Sequence, residues 1–183
     1  IISIAASSMT IWENNDDYAI PTSAKEVEPT TDLKLESGGA ILIEANTGQV
    51  LYEHNPHEQL RPASVTKVMT ILLIMEAIDS GKFTLEDKVP CSAKARQMGG
   101  SQIWLDENEE LTVHEMLKAI CVVSANDCSV AMAEYIAGSE EAFVGMMNNR
   151  AKELGMNHTV FKNCHGIDEE GHVTCPCDIA LMS

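Results

Sequence analysis

Hydrophobic and polar positions divide the chain into an irregular polar stretch and a longer part with regular patterning. Residues 10–37 are polar and acidic, contain Pro21 and Pro29 and keep neither a strand nor a helix period, so they read as a linker. Ordered patterning begins at Gly38-Gly39. The apolar runs Ala40-Ile41-Leu42-Ile43 and Gln49-Val50-Leu51-Tyr52 flank Asn46-Thr47-Gly48, which predicts a β-hairpin. Near Pro62-Ala63 the period changes. Val65, Val68, Met69, Ile71, Leu72, Leu73, Ile74, Met75 and Ile78 predict a helix with a proline in its first turn and Gly81 as its C-cap. Apolar residues surround that helix on nearly all sides, which predicts a central, buried position.

Three more helices follow from their caps. Thr112-Val113-His114-Glu115 has the form of a capping box and opens a helix that ends near Val122-Val123. A second runs from about Asp127 to Ala137 with Gly138 behind it. A third starts on Ser139 and ends at Leu154, closed by Gly155. Ser124-Ala125-Asn126 therefore falls at a break between helices, where short polar side chains can face a cleft. No internal repeat interrupts this order.

Composition and charge narrow the classes. The chain has 183 residues, 45% hydrophobic and 22% charged, which suits one globular domain with a tail. A formal net charge of −16 argues against nucleic acid and against direct adsorption to anionic lipid, because both need clustered Lys and Arg. Residues 1–9, apolar and then small, resemble the end of a signal peptide and imply export. No apolar run reaches the roughly 20 residues of a membrane-spanning helix. Six cysteines (Cys91, Cys121, Cys128, Cys164, Cys175, Cys177) lack the spacing of a disulfide framework, so free and mostly buried thiols are expected.

The candidate chemistry lies in two short motifs. Ser64-Val65-Thr66-Lys67 puts a hydroxyl and an amine three residues apart on one helical face, close enough for the amine to take the hydroxyl proton. By itself the pattern is weak, since a chain of this length yields about one by chance. Its setting adds more. A serine at a helix start lies where backbone N–H groups favour a developing oxyanion. A lysine desolvated by an apolar helix has a lowered pKa and can serve as a neutral base. The bland reading is a capping serine with a snorkelling lysine. Ser124 and Asn126 supply the further hydroxyl and amide that an acyl-transfer site needs.

Four ordered blocks then carry a resemblance. Arg61-Pro62-Ala63-Ser64-Val65-Thr66-Lys67-Val68-Met69-Thr70 resembles the active-site segment of the penicillin-binding serine D-alanyl-D-alanine carboxypeptidases. Gly99-Gly100-Ser101-Gln102-Ile103 with Leu111-Thr112-Val113, then Ser124-Ala125-Asn126-Asp127, are similar to their next blocks. Phe161-Lys162-Asn163-Cys164-His165-Gly166-Ile167 with Asp178-Ile179-Ala180-Leu181-Met182 is similar to a later one. The similarity covers about 38–183, the expected N-terminal part of the enzyme domain.

The resemblance implies an α/β (α+β) fold of the β-lactamase/transpeptidase type, an antiparallel sheet with a helical cluster. It implies that Ser64 is the nucleophile, Lys67 the general base, Ser124 a proton relay and Asn126 a substrate-binding residue. The substrate implied is the terminal D-alanine peptide of a peptidoglycan stem, at the outer face of the bacterial cytoplasmic membrane or in the wall. β-Lactam antibiotics are implied as ligands that acylate Ser64, and neither metal nor other cofactor is implied. The Lys-Thr-Gly motif that completes such sites does not occur in these residues. The sheet is therefore expected to lack its C-terminal strands, the 183 residues alone to be inactive, and any membrane association to use another part of the protein.

Particular residues bear on the alternatives. A serine β-lactamase shares the first motif, but no Glu-x-x-Leu-Asn segment is present and Ser124-Ala125-Asn126 stands in place of Ser-Asp-Asn. A truncated, non-catalytic module that binds penicillin or wall peptide is the other alternative. His165, His172, Cys175 and Cys177 have spacings that zinc sites sometimes use, yet the family implied needs no metal, so the metal reading is set aside. His114-Glu115-Met116-Leu117-Lys118 has lysine where a zinc-protease helix needs its second histidine.

Overall fold

A computed structural model describes residues 33–183, so the expectations of a signal remnant at 1–9 and of most of the linker at 10–37 lie outside the described residues. The hairpin forms where the turn signal placed it. Strands β1 (Ala40–Ile43) and β2 (Val50–His54) pair antiparallel with Ala40 opposite His54, and a bulge falls between Leu42 and Ile43. The Glu44 carboxylate closes the turn by accepting the N–H groups of Asn46 and Thr47 at 3.1 and 2.7 Å. Gly48, at φ +69°, supplies the left-handed residue that the turn requires.

After the hairpin the chain enters a single 3₁₀ turn, Ala63–Val65, that continues into α1 (Thr66–Asp79). A second antiparallel pair, β3 (Lys88–Pro90) and β4 (Glu110–Thr112), brackets the short helix α2 (Ala93–Arg96), capped by Ser92. Helix α3 (Val113–Val123) opens with both halves of the predicted capping box, Thr112 and Glu115. It ends at Ser124. Helices α4 (Asn126–Ala137) and α5 (Glu140–Glu153) follow, the first closed by Gly138 at φ +81° and the second opened by the Ser139 side chain. A last helix, α6 (Pro176–Met182), has Pro176 in its first turn and packs against β1.

The expectation that the first helix would be the central, buried one is corrected. Met69, Leu73, Ile74 and Ala77 of α1 face the core, whereas Met75 is 41% exposed and Ile71, Leu72 and Ile78 are half-buried. The enclosed helix is α4, whose residues Asn126 to Ala133 are all buried and which touches α1, α2, α3, α5 and β3. Its small side chains (Cys128, Ser129, Ala131, Ala133) let five neighbours approach, which a surround of leucines does not. Lys67 and Thr70 lie on the inward face of α1 and are buried all the same. All six cysteines are free, four of them buried, with Cys121 exposed and Cys177 intermediate.

Candidate active site

The first motif sits where the 3₁₀ turn meets α1. Ala63 has φ +46°, a conformation that costs an L-residue of order 1 kcal/mol and is kept only where the surroundings enforce it. That kink presents Ser64, which stays exposed, at the head of the helix. One turn on, Lys67 is 3% exposed. Its Nζ donates to Ser64 Oγ at 3.3 Å and to the His165 carbonyl at 2.6 Å. Burial, which disfavours the ammonium, lowers the Lys67 pKa from 10.5 to about 8, against a smaller upward pull from Cys164. The amine is therefore held beside the hydroxyl with about a tenth of it neutral at pH 7.

A loop from far along the chain encloses this pair. Thr70 Oγ1 donates to the Cys164 carbonyl at 2.6 Å, next to the His165 carbonyl that holds Lys67. Behind the loop, the buried Glu140 carboxylate pairs with Lys94 at 2.9 Å and accepts the Cys164 N–H at 3.3 Å. Burial alone would raise the Glu140 pKa, but Lys94 and that N–H hold it below the usual carboxylate range. His165 Nε2 is 3.4 Å from Glu140, while its Nδ1 accepts the Ile167 N–H at 3.1 Å. Burial drives the His165 pKa from 6.5 down to about 4, so the ring is neutral and its contact with Glu140 is not a pairing of full charges. His172 is buried too; its Nδ1 accepts the Lys162 N–H, which leaves Nε2–H to donate to Thr66 Oγ1 at 2.7 Å.

The second motif is built differently. Ser124 terminates α3 in the left-handed conformation, φ +60° and ψ +41°, a place more often filled by glycine or asparagine. Its Oγ is the one buried side-chain nitrogen or oxygen without a hydrogen-bond partner among the described residues. Asn126 begins α4 and is tied to the Gly99–Ser101 segment. Its Nδ2 donates to the Gly99 carbonyl at 2.8 Å and its N–H to the Ser101 carbonyl at 2.7 Å. Gly100 makes the approach possible, since a Cβ there would lie 2.9 Å from Asn126 Nδ2. Asp127 completes the lacing by accepting the N–H groups of Ile103 and Leu105 at 3.1 and 3.2 Å.

Of the four residues singled out from sequence, the structure joins Ser64 to Lys67 by a hydrogen bond and ties Asn126 to the Gly99 carbonyl, while the Ser124 hydroxyl makes no hydrogen bond. The loop carbonyl on Lys67 and the Glu140 anchor were missed. Glu140 follows a capping serine and reads as an ordinary first-turn acid, so no local signal betrayed its burial. Asn163 was legible in principle, as an asparagine three residues before a glycine is a turn signal. His172 and Cys175 are spent on Thr66 and on the N-terminus of α6, where Cys175 Sγ accepts the Asp178 N–H at 3.5 Å.

The chain is similar to known proteins. The family model described as D-alanyl-D-alanine carboxypeptidase matches residues 23–183. The D-alanyl-D-alanine carboxypeptidase DacF of Bacillus subtilis is 56% identical over 154 residues, 84% of this chain and 40% of the relative. The crystal structure of the D-alanyl-D-alanine carboxypeptidase DacD from Francisella tularensis superposes with a TM-score of 0.82 at 32% identity, covering 85% of this chain and 38% of that one. Penicillin-Binding Protein D2 from Listeria monocytogenes, in its ampicillin-bound form, gives a TM-score of 0.74 at 27% identity over 83% of this chain and 62% of its own. The fold is thus the α+β penicillin-binding-protein fold that the four blocks implied. The chain spans about two-fifths of the length of its DacF relative. With the match running over 23–183 and the identity to DacF at 56%, the chain belongs to the serine peptidase family of D-alanyl-D-alanine carboxypeptidases.

Proposed function

We propose that the protein is a serine D-alanyl-D-alanine carboxypeptidase of the bacterial cell wall. Ser64 Oγ attacks the carbonyl between the two terminal D-alanines of a peptidoglycan stem, and its proton passes to the neutral Lys67 amine. The Ser64 N–H, at the head of the helix, is one donor to the oxyanion that forms. The Ser124 hydroxyl relays a proton toward the departing D-alanine, and the Asn126 side chain hydrogen-bonds the substrate backbone. Water then hydrolyses the acyl-enzyme and restores Ser64. β-Lactams acylate the same oxygen and leave slowly, which parallels the ampicillin complex of the Listeria relative. Such a substrate requires the enzyme to be exported.

One observation carries this reading: the Lys67 amine lies 3.3 Å from Ser64 Oγ. Its pKa, lowered to about 8, gives that contact its chemistry. With a pKa near 8, roughly a tenth of Lys67 is neutral at pH 7, so acylation should climb about tenfold between pH 7 and pH 9 and then level. The test is labelling of the full-length protein by a fluorescent penicillin alongside release of D-alanine from a stem pentapeptide. Ser64→Ala is expected to abolish both. A covalent adduct that persists in Ser64→Ala would remove the nucleophile assignment. Rapid turnover of the penicillin, in place of a long-lived adduct, would mark a β-lactamase instead.

A further inference from the structure

We propose that the turn Asn163–Gly166 is the positioning element of the nucleophile and its base, with Asn163 and Thr70 as the side chains that fix it. The proposal rests on the assignment of Ser64 and Lys67 made above. Two successive carbonyls of the turn dock on two successive positions of one face of α1. The Cys164 carbonyl accepts from Thr70 Oγ1 and the His165 carbonyl from Lys67 Nζ, each at 2.6 Å. A buried lysine with one backbone acceptor takes its place from that acceptor. Where the turn sits therefore decides how far Nζ stands from Ser64 Oγ.

The same turn reaches the nucleophile from the other side. Gly166 has φ +93°, and a Cβ on it would fall 1.9 Å from the Ala63 carbonyl oxygen and 3.0 Å from the Ser64 nitrogen. Its bare backbone thus presses on the peptide that carries the kink at Ala63 and the N–H assigned to the oxyanion. Asn163, 5% exposed, holds the turn in shape. Its Oδ1 accepts the Gly166 N–H at 2.7 Å and the His165 N–H at 3.4 Å, and its Nδ2 donates to the Ile167 carbonyl at 2.8 Å. This one turn thereby sets base, nucleophile and oxyanion donor together. Asn163 and Thr70 touch none of the reacting atoms and act through it.

The experiment measures the rate of acylation by a fluorescent penicillin against pH, with the thermal midpoint, in the full-length protein. Thr70→Val removes the hydroxyl at nearly constant volume, and Thr70→Ser keeps it. Thr70→Val is expected to lower acylation about 10- to 100-fold, the scale of a misplacement near 1 Å. A carbonyl acceptor favours the ammonium, so loosening it should also move the acid limb of the profile to lower pH. Thr70→Ser should restore rate and limb. Asn163→Ala should act in the same direction and more strongly; if that variant does not fold, the Thr70 pair decides.

A folded Thr70→Val that acylates at the parental rate overturns the proposal. So does a slowed Thr70→Val whose acid limb stays in place, since that is what merely structural damage produces. Ser64→Ala separates the two levels. If it still forms the adduct, the nucleophile assignment fails; if it loses the adduct while Thr70→Val acylates normally, only the positioning role fails.

Discussion

The two motifs of the candidate site are solved in opposite ways. Around Ser64 and Lys67, the buried polar groups named above are partnered: Lys67 with Ser64 and His165, Thr70 with Cys164, Thr66 with His172, Glu140 with Lys94 and Cys164. At Ser124 the backbone is left-handed and the hydroxyl is buried with no partner. The first region is a satisfied network and is expected to be rigid. The second retains an unmet hydrogen bond and a residue in a rarely populated conformation, a combination found more often at functional positions. On the roles proposed above, the nucleophile and base are preorganised by that network, while the Ser124 hydroxyl has no such anchor.

The largest effect expected from breaking this contrast is at Lys67. Lys67→Met keeps the length of the side chain and removes the base, so acylation should fall by about 10²- to 10⁴-fold. Stability should fall as well, by about 1–3 kcal/mol, because the buried His165 carbonyl loses its donor. Acylation rates and a urea midpoint on the same preparation check both halves. A rate within a few-fold of the parent would show that another group takes the Ser64 proton.

The network of the first region also predicts how stability depends on pH. His165 and His172 are both held below their ordinary range by burial, His165 at about 4. The unfolded chain takes up these protons near pH 6.5 and the folded chain refuses them until lower pH. The stabilisation is therefore complete above about pH 6.5 and is lost as pH falls toward 4, on the order of 2–3 kcal/mol for His165. Below about 4.5 the depressed Glu140 carboxyl adds in the same direction. Denaturant midpoints at pH 7 and pH 5 should differ, and His165→Gln should flatten the difference while leaving the His165 carbonyl on Lys67. Equal midpoints in the parent would contradict the burial account of the histidines.

Legibility from sequence followed the range of the interactions. The hairpin, the Thr112–Glu115 capping box and the limits of α3, α4 and α5 were readable because their signals lie within a few residues of each other. Strands β3 and β4, three residues each, and the four-residue α2 carry too few positions to show a period. The central helix was misjudged for a physical reason. Apolar residues on nearly all sides marked α1 as the core, whereas close approach of many neighbours selects the small residues of α4. Ser64 and Lys67 were legible as a pair three apart. What holds Lys67 comes from His165, 98 residues later, and Glu140 reaches Cys164 across another 24. Such contacts exist only once the fold does.

The smallest and most discriminating effect is expected at Ser124. A buried hydroxyl without a partner has given up its hydrogen bond to water and received nothing, a cost of about 1–3 kcal/mol. Ser124→Ala removes that oxygen and leaves the left-handed backbone as it was, so the variant should be as stable as the parent or up to about 1 kcal/mol more so. Its release of D-alanine should nevertheless fall, because the proposed relay is gone. A stabilised, less active variant would set Ser124 apart from every side chain of the first network, where truncation unpairs a buried partner and costs stability. Urea unfolding at pH 7.5 with D-alanine release decides it. Loss of more than about 1 kcal/mol in Ser124→Ala would mean that its hydroxyl does have a partner in the folded protein, and the contrast between a satisfied and an unsatisfied half of the site would fail.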